Sequence, residues 1–191
     1  MTALLDLESH LVFYRSYHFN QTNIAIHLCC IPIILLSSIT FLSIREIPFL
    51  DNPYVNLGSI LAFSFGTFYV LLDWKCGIPA FVVLTSYAIG LKNYYLNVGP
   101  TSLFTQDEII RYAIYAHIGS WLAQFYGHGV HEKRAPALLD NLMQALVLAP
   151  FFVVFEIAFG LGYRLDLKKR MDNRAGVNIR NFKLQEKEKS K

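Results

Sequence analysis

Apolar residues gather in long runs along this chain and do not alternate with polar ones. Four stretches, 24–44, 55–72, 78–98 and 142–163, approach the ~20 mostly apolar residues that a helix needs to cross ~30 Å of hydrocarbon. A fifth, 109–126, carries Arg111, His117, Ser120 and Gln124 among its apolar positions, the composition of a helix packed inside a bundle. Helix is the predicted state of all five, because a segment in hydrocarbon must satisfy its own backbone hydrogen bonds. Ahead of them, apolar residues at 4, 5, 7, 11, 12 and 14 come close to helical spacing and predict a helix that lies along the membrane surface or caps the bundle. Asn20, Gln21, Thr22 and Asn23 then supply a break and an N-cap for the first run. The predicted fold is all-α: an integral membrane helix bundle of four to five spans with an N-terminal surface helix.

Composition agrees with a membrane solvent. Of the 191 residues, 54% are apolar and 16% charged, with a mean hydropathy of +0.36, whereas soluble domains carry about 25% charged residues. The charge sits at one end. Residues 164–191 hold ten of the 17 lysines and arginines, which divides the chain into a membrane helix-bundle domain, 1–163, and a basic tail. Basic residues beside a span favour the cytosolic side, and the bland reading is a solvated segment near anionic lipid. Lys187 and Lys189, fifth and third from the last residue, also resemble a dilysine signal for retrieval to the endoplasmic reticulum. Residues 1–20 contain Asp6, Glu8, His10, Arg15 and His18 and do not fit a secretory signal. The three cysteines, two of them adjacent, read as small apolar residues and not as a disulfide framework. There is no internal repeat and no glycine-rich nucleotide loop, and neither a nucleic acid nor an obligatory protein partner is predicted.

Ionisable groups at membrane depth cost ~2.5–3.5 kcal/mol each on insertion scales, so each asks for a reason. His18, His27, His117, His128 and His131 all lie in or beside apolar segments. Taken singly, such a histidine is more often a hydrogen-bonded structural residue than a metal ligand. Their spacing changes that reading. At ~100° per residue, positions 117, 120, 124, 128 and 131 fall within ~60° of one line on a helix, a polar stripe bordered by Glu132. Gly127 and Gly129 flank His128 and could loosen the helix there. In a second group, Asn23 lies one turn before His27 and could orient its ring. His18 and His27 are nine residues apart, so they converge only if the chain bends near 20–23.

Alternating spans put the start of the run 24–44 and the end of 109–126, fourth in chain order, on one side of the membrane, which brings the two groups to one depth. Three or four imidazoles with a carboxylate suit iron, zinc or copper. Competing chemistries lack their motifs, since C-x-x-C, H-E-x-x-H and G-x-S-x-G are absent. The chain also lacks the dense histidine boxes of a di-iron site, so one metal ion is predicted. A non-enzymatic bundle whose histidines are structural is the reading of a different class. A separation of His18 and His128 beyond ~10 Å would favour it, because ligands lie ~2 Å from a shared metal.

Two stretches carry a family resemblance. "F-Y-R-S-Y-H-F-N-Q-T-N-I-A-I-H" (13–27) followed by Pro32, and "Q-F-Y-G-H-G-V-H-E-K-R-A-P-A-L-L-D-N" (124–141) followed by "L-V-L-A-P-F-F-V-V-F-E" (146–156), resemble the fungal iron(II)-dependent 2-hydroxy fatty acid dioxygenases. These are multi-pass proteins of the endoplasmic reticulum membrane in phytosphingosine degradation, and the resemblance spans roughly residues 4–163. It implies α-oxidation, in which a 2-hydroxy fatty acid reacts with O₂ and becomes a fatty acid one carbon shorter. It also matches the family's motif histidines to His18, His27 and His128, with His131 a further metal candidate outside that match. On this footing Glu132 is a fourth ligand or an orienting group, and Lys133 or Arg134 holds the substrate carboxylate or, at a helix end, faces lipid headgroups. Asn23 and Gln124 support the ligands, and Glu156 pairs with a histidine N–H. Another metal-dependent membrane lipid enzyme, such as a zinc hydrolase, is the alternative within enzymes. If Pro150 splits the last apolar run into half-helices, site and tail share the cytosolic face.

Overall fold

A computed structural model of the chain describes residues 4–136, 142 and 144–189. Among them the regular elements are helical, with only an isolated β-bridge between Glu46 and Asn56. In order they are α1 (Leu7–Tyr17), α2 (Gln21–Leu42), α3 (Leu57–Leu72), α4 (Trp74–Asn97) and α5 (Gln106–Tyr126). The π-helical turns Gly127–Glu132 and Gln144–Leu148 follow, then α6 (Ala149–Gly160) and α7 (Leu165–Lys189). The chain forms two compact units, Met1–Ala25 with Tyr126–Lys191, and Ile26–Phe125. The division falls inside α2, which is one continuous helix through it.

In the first unit, α1 opens on Asp6, whose carboxylate accepts the Ser9 N–H at 3.1 Å. α1 buries Leu7, Leu11, Val12 and Tyr14, and α6 buries Phe151, Phe152, Phe155 and Phe159. Pro150 stands in the first turn of α6, where its missing N–H costs nothing. Within the apolar run 142–163 a π-helical segment passes directly into this α-helix, with no split into half-helices at Pro150. The charge pattern separates 164–191 as a tail, yet Leu165–Lys189 is a helix that packs on α1. The reason lies under the charges: Leu167, Met171 and Ala175, spaced by four, make a fully buried seam. Its charges are used as well, with Arg15 Nε 2.8 Å from Asp172 and with Arg170 and Arg174 at 3.1 and 3.0 Å from Glu8.

In the second unit, α3 and α4 form a tight antiparallel pair joined at Asp73. That residue ends α3 and caps α4, accepting the Cys76 N–H at 3.0 Å. Glycine permits the close approach, since a Cβ on Gly77 would collide with the Tyr69 backbone. Polar pairs tie α4 to α2 and the segment after it, Thr40 with Tyr87 at 2.7 Å and Lys92 with Glu46 at 2.7 Å. The outward faces are apolar: Phe63, Leu71, Val82, Val83 and Ile89 are each more than half exposed. Helices α2 and α4 are long and apolar enough to cross a membrane, while α3 and Ala145–Gly160 are apolar but shorter.

Candidate metal centre

The first histidine is placed by the end of α1. His18 leaves helical geometry, and its N–H returns to the Arg15 carbonyl at 3.2 Å. Two residues later Asn20 starts α2, its side-chain oxygen accepting from the N–H groups of Thr22 and Asn23 at 2.9 and 3.3 Å. The break is there but lies at 18–20, ahead of the expected 20–23, whose residues 21–23 are already helical. That corner releases His18 and His27 from the opposite faces that one unbroken helix would give them.

The third histidine comes from the turn Gly127–Glu132. Lys133, at φ 53, ends it by sending its N–H to the His128 carbonyl, five residues back, the wider ring of a π-helix. Such single turns are rare and concentrate at functional sites. The outcome is a close group. One ligand atom from each of His18, His27 and His128 lies within 4.8 Å of the others, and all three side chains are buried. The His18 and His128 rings meet edge to face, 4.8 Å between centroids. This is well inside the ~10 Å beyond which a shared metal becomes untenable.

The contacts around the rings prepare them as ligands. His18 Nδ1 lies 2.9 Å from the Tyr14 carbonyl, which can only accept. The proton therefore sits on Nδ1 and the lone pair on Nε2, the usual way an outer partner sets the tautomer of a metal-binding histidine. The Tyr14 ring stacks on the imidazole at 3.8 Å and 10°, and on Phe152 at 3.9 Å, which fixes the ring plane. Burial, with a smaller contribution from the Arg134 guanidinium, pushes His128 down to about 4. It is neutral at pH 7 and need shed no proton to bind an ion. Ligands ~2 Å from one metal lie up to ~4 Å apart, so three buried imidazoles within 4.8 Å of one another need close by only about an ångström to share a single ion such as iron(II), zinc or copper.

Glu132 stands beside this group and not within it. Its carboxylate accepts from Phe19 N at 3.1 Å, Asn20 N at 3.0 Å and Asn23 Nδ2 at 3.1 Å. Of the two roles expected for it, these contacts are those of a group that holds the corner. They also show where the Asn23 amide is aimed. Arg134 is engaged too: its guanidinium lies between the rings of Tyr17 (3.8 Å) and Phe182 (4.0 Å), and Nη1 donates to the Ser16 carbonyl at 2.7 Å. Lys133 is exposed and lines a cavity of about 250 Å³ with Phe19, Arg134 and Lys183.

The remaining expectations fare differently. His131 packs against the Tyr126 ring, centroids 5.4 Å apart, and is outside the close group. The stripe assumed α-helical rotation through residue 131, and the wider turn carries His131 off that line. His117 is satisfied in the second unit. Trp121 Nε1 can only donate and reaches His117 Nε2 at 3.0 Å, leaving Nδ1–H for Ser37 Oγ at 2.9 Å. Gln124 is buried in α5, and its amide nitrogen has no hydrogen-bond partner among the described residues. Glu156 does not pair with a histidine: Arg15 Nη1 lies 3.6 Å from its Oε1. A full positive charge relieves a buried carboxylate more than a neutral imidazole N–H does. Residues 137–141 of the second motif lie outside the described residues. Tyr14, four residues before His18, was legible from helical spacing. Arg15, Ser16 and Phe182 had no such signal.

A family model described as "Mpo1-like: 2-hydroxy-palmitic acid dioxygenase Mpo1-like" matches residues 4–161. The 2-hydroxy-palmitic acid dioxygenase MPO1 of Saccharomyces cerevisiae is 37% identical over 183 residues, 96% of this chain and 97% of that protein. No solved structure matches.

Proposed function

This chain belongs to the Mpo1-like family of 2-hydroxy-palmitic acid dioxygenases, and on that premise we propose that it is an iron(II)-dependent dioxygenase. It shortens 2-hydroxy fatty acids by one carbon in sphingolipid breakdown at the endoplasmic reticulum membrane. The observation that carries the reading is the buried group of His18, His27 and His128 within a chain of this family. O₂ reacts slowly with closed-shell substrates, and bound iron(II) supplies the chemistry that overcomes this. The overall change balances with O₂ as sole oxidant: the 2-hydroxy acid and O₂ give the shorter acid, carbon dioxide and water.

The protein's own residues then have separate tasks. His18, His27 and His128 hold the metal, and the Tyr14 carbonyl fixes the His18 tautomer. Glu132 holds the corner between α1 and α2 in place. Lys133, at the end of the turn that carries His128, presents its charge to the substrate carboxylate. The apolar outer faces of α3 and α4 meet lipid, which is the natural solvent for more than half-exposed Phe63, Leu71 and Val83. Four to five membrane passes follow from this reading, and an acyl chain reaches the site from within the bilayer.

Purified protein is expected to contain iron and to consume O₂ with 2-hydroxypalmitate, forming pentadecanoic acid. His27→Ala and His128→Ala are expected to lose both the metal and at least 100-fold in turnover, since removing even an outer partner of a ligand costs about 10- to 100-fold. Undiminished turnover in both variants would refute the assignment. Zinc in place of iron together with O₂-independent turnover would point to a hydrolase.

A further inference from the structure

Helix α7 lies beyond the part of the chain that the family model matches, yet its contacts lead to the histidines. The link is Arg134. Its backbone N–H reaches the His128 carbonyl at 3.3 Å, so it is tied to the turn that carries one imidazole. Its Nη1 donates at 2.7 Å to the carbonyl of Ser16, two residues before His18, so it is tied to the corner that carries another. Between these points the guanidinium lies over two aromatic rings, Tyr17 at 3.8 Å and Phe182 of α7 at 4.0 Å. A planar, delocalised cation gains from both stacked faces, and a lysine ammonium would not bridge them in this way. A second α7 side chain joins the same corner, with Asn178 Nδ2 donating to Ser16 Oγ at 3.1 Å. A third, Asp172, anchors Arg15 at 2.8 Å, one turn before the corner.

We propose that Arg134 and Phe182 are positioning residues: by clamping Arg134 against Tyr17, α7 sets the spacing of His18 and His128 and so the affinity for metal. The proposal rests on the reading of the three histidines as one metal site. It gives Arg134 a task other than substrate binding, and it makes the basic C-terminal helix part of the site's scaffold.

The test uses full-length protein in detergent, titrated with cobalt(II) alone and followed by its visible absorption. Wild type is expected to bind one ion per chain. Phe182→Ala and Phe182→Leu are expected to bind about tenfold more weakly, as loss of an outer partner does. Phe182→Tyr and Phe182→Trp keep an aromatic face and should stay within about twofold of wild type. Arg134→Lys keeps the charge, loses the planar fork, and should match Phe182→Ala. Circular dichroism checks that each variant is folded. If folded Phe182→Leu binds as wild type does, or Phe182→Tyr is as weak as Phe182→Ala, then Phe182 is an ordinary packing residue and the proposal falls. If wild type itself binds no cobalt, the metal reading fails along with it, and the two failures are thereby told apart.

Discussion

At the scale of single residues, the site is decided less by the ligands than by what holds them. A histidine offers two nitrogens, and for His18 the Tyr14 carbonyl decides which one is free. Glu132 is the clearest case. Its carboxylate takes three N–H donors from the corner 18–20 and the first turn of α2, charge-assisted bonds that are stronger than neutral ones. Glu132→Ala is expected to lower cobalt affinity about 10- to 100-fold, as removal of an outer partner does. Glu132→Gln keeps an acceptor without the charge, and should fall between that variant and wild type. Equal affinity of Glu132→Ala and wild type in the same titration would show that the corner stands without it. Part of this was legible. The motif placed Glu132 beside the histidines, but not its donors, because those are 109 to 113 residues away in the chain.

At the scale of elements, apolar runs and caps were a good guide to where helices lie. The break after residue 17 and the N-cap at Asn20 came from side-chain chemistry that acts over three residues, so sequence contained it. α7 was hidden because its mean composition is highly polar, and averages conceal a narrow seam such as Leu167, Met171 and Ala175. The π-helical turn was hinted at by Gly127 and Gly129 but not its register, and His131 left the predicted stripe for that reason. The α3–α4 pair gives a test of element packing. At Gly77 a methyl group would meet the Tyr69 carbonyl and the Val70 nitrogen, backbone atoms that cannot move aside cheaply. Gly77→Ala is expected to cost ~1–3 kcal/mol, the usual range for overpacking. A melting temperature lower by roughly 3–10 °C follows for a chain of this size, read by thermal unfolding in detergent. Gly90→Ala, where a Cβ meets nothing within 4 Å, is the control and should not lower it.

At the scale of the whole molecule, an ion held by the histidines would be coupled to folding. Any ion that binds the folded chain and not the unfolded one stabilises it, by about 2.7 kcal/mol at a hundred times its dissociation constant. Chelation is therefore expected to lower the melting temperature by several degrees, and added iron(II) to restore it. In His128→Ala the shift should vanish. A chelator effect that survives in this variant would place the metal elsewhere.

The sequence by itself determined the helical class, the apolar runs, the corner between α1 and α2 and the candidate histidines, because hydrophobic period and capping act over a few residues. Its two motifs also carried the family. Only the tertiary structure decided that His18, His27 and His128 meet while His131 and His117 do not. It also decided that Glu156 faces Arg15, and that Arg134 is held by a phenylalanine of the last helix. The physical reason is common to all of these. Contacts between residues tens to more than a hundred positions apart depend on how packed side chains fix rotation and approach, and no local period of the chain records that.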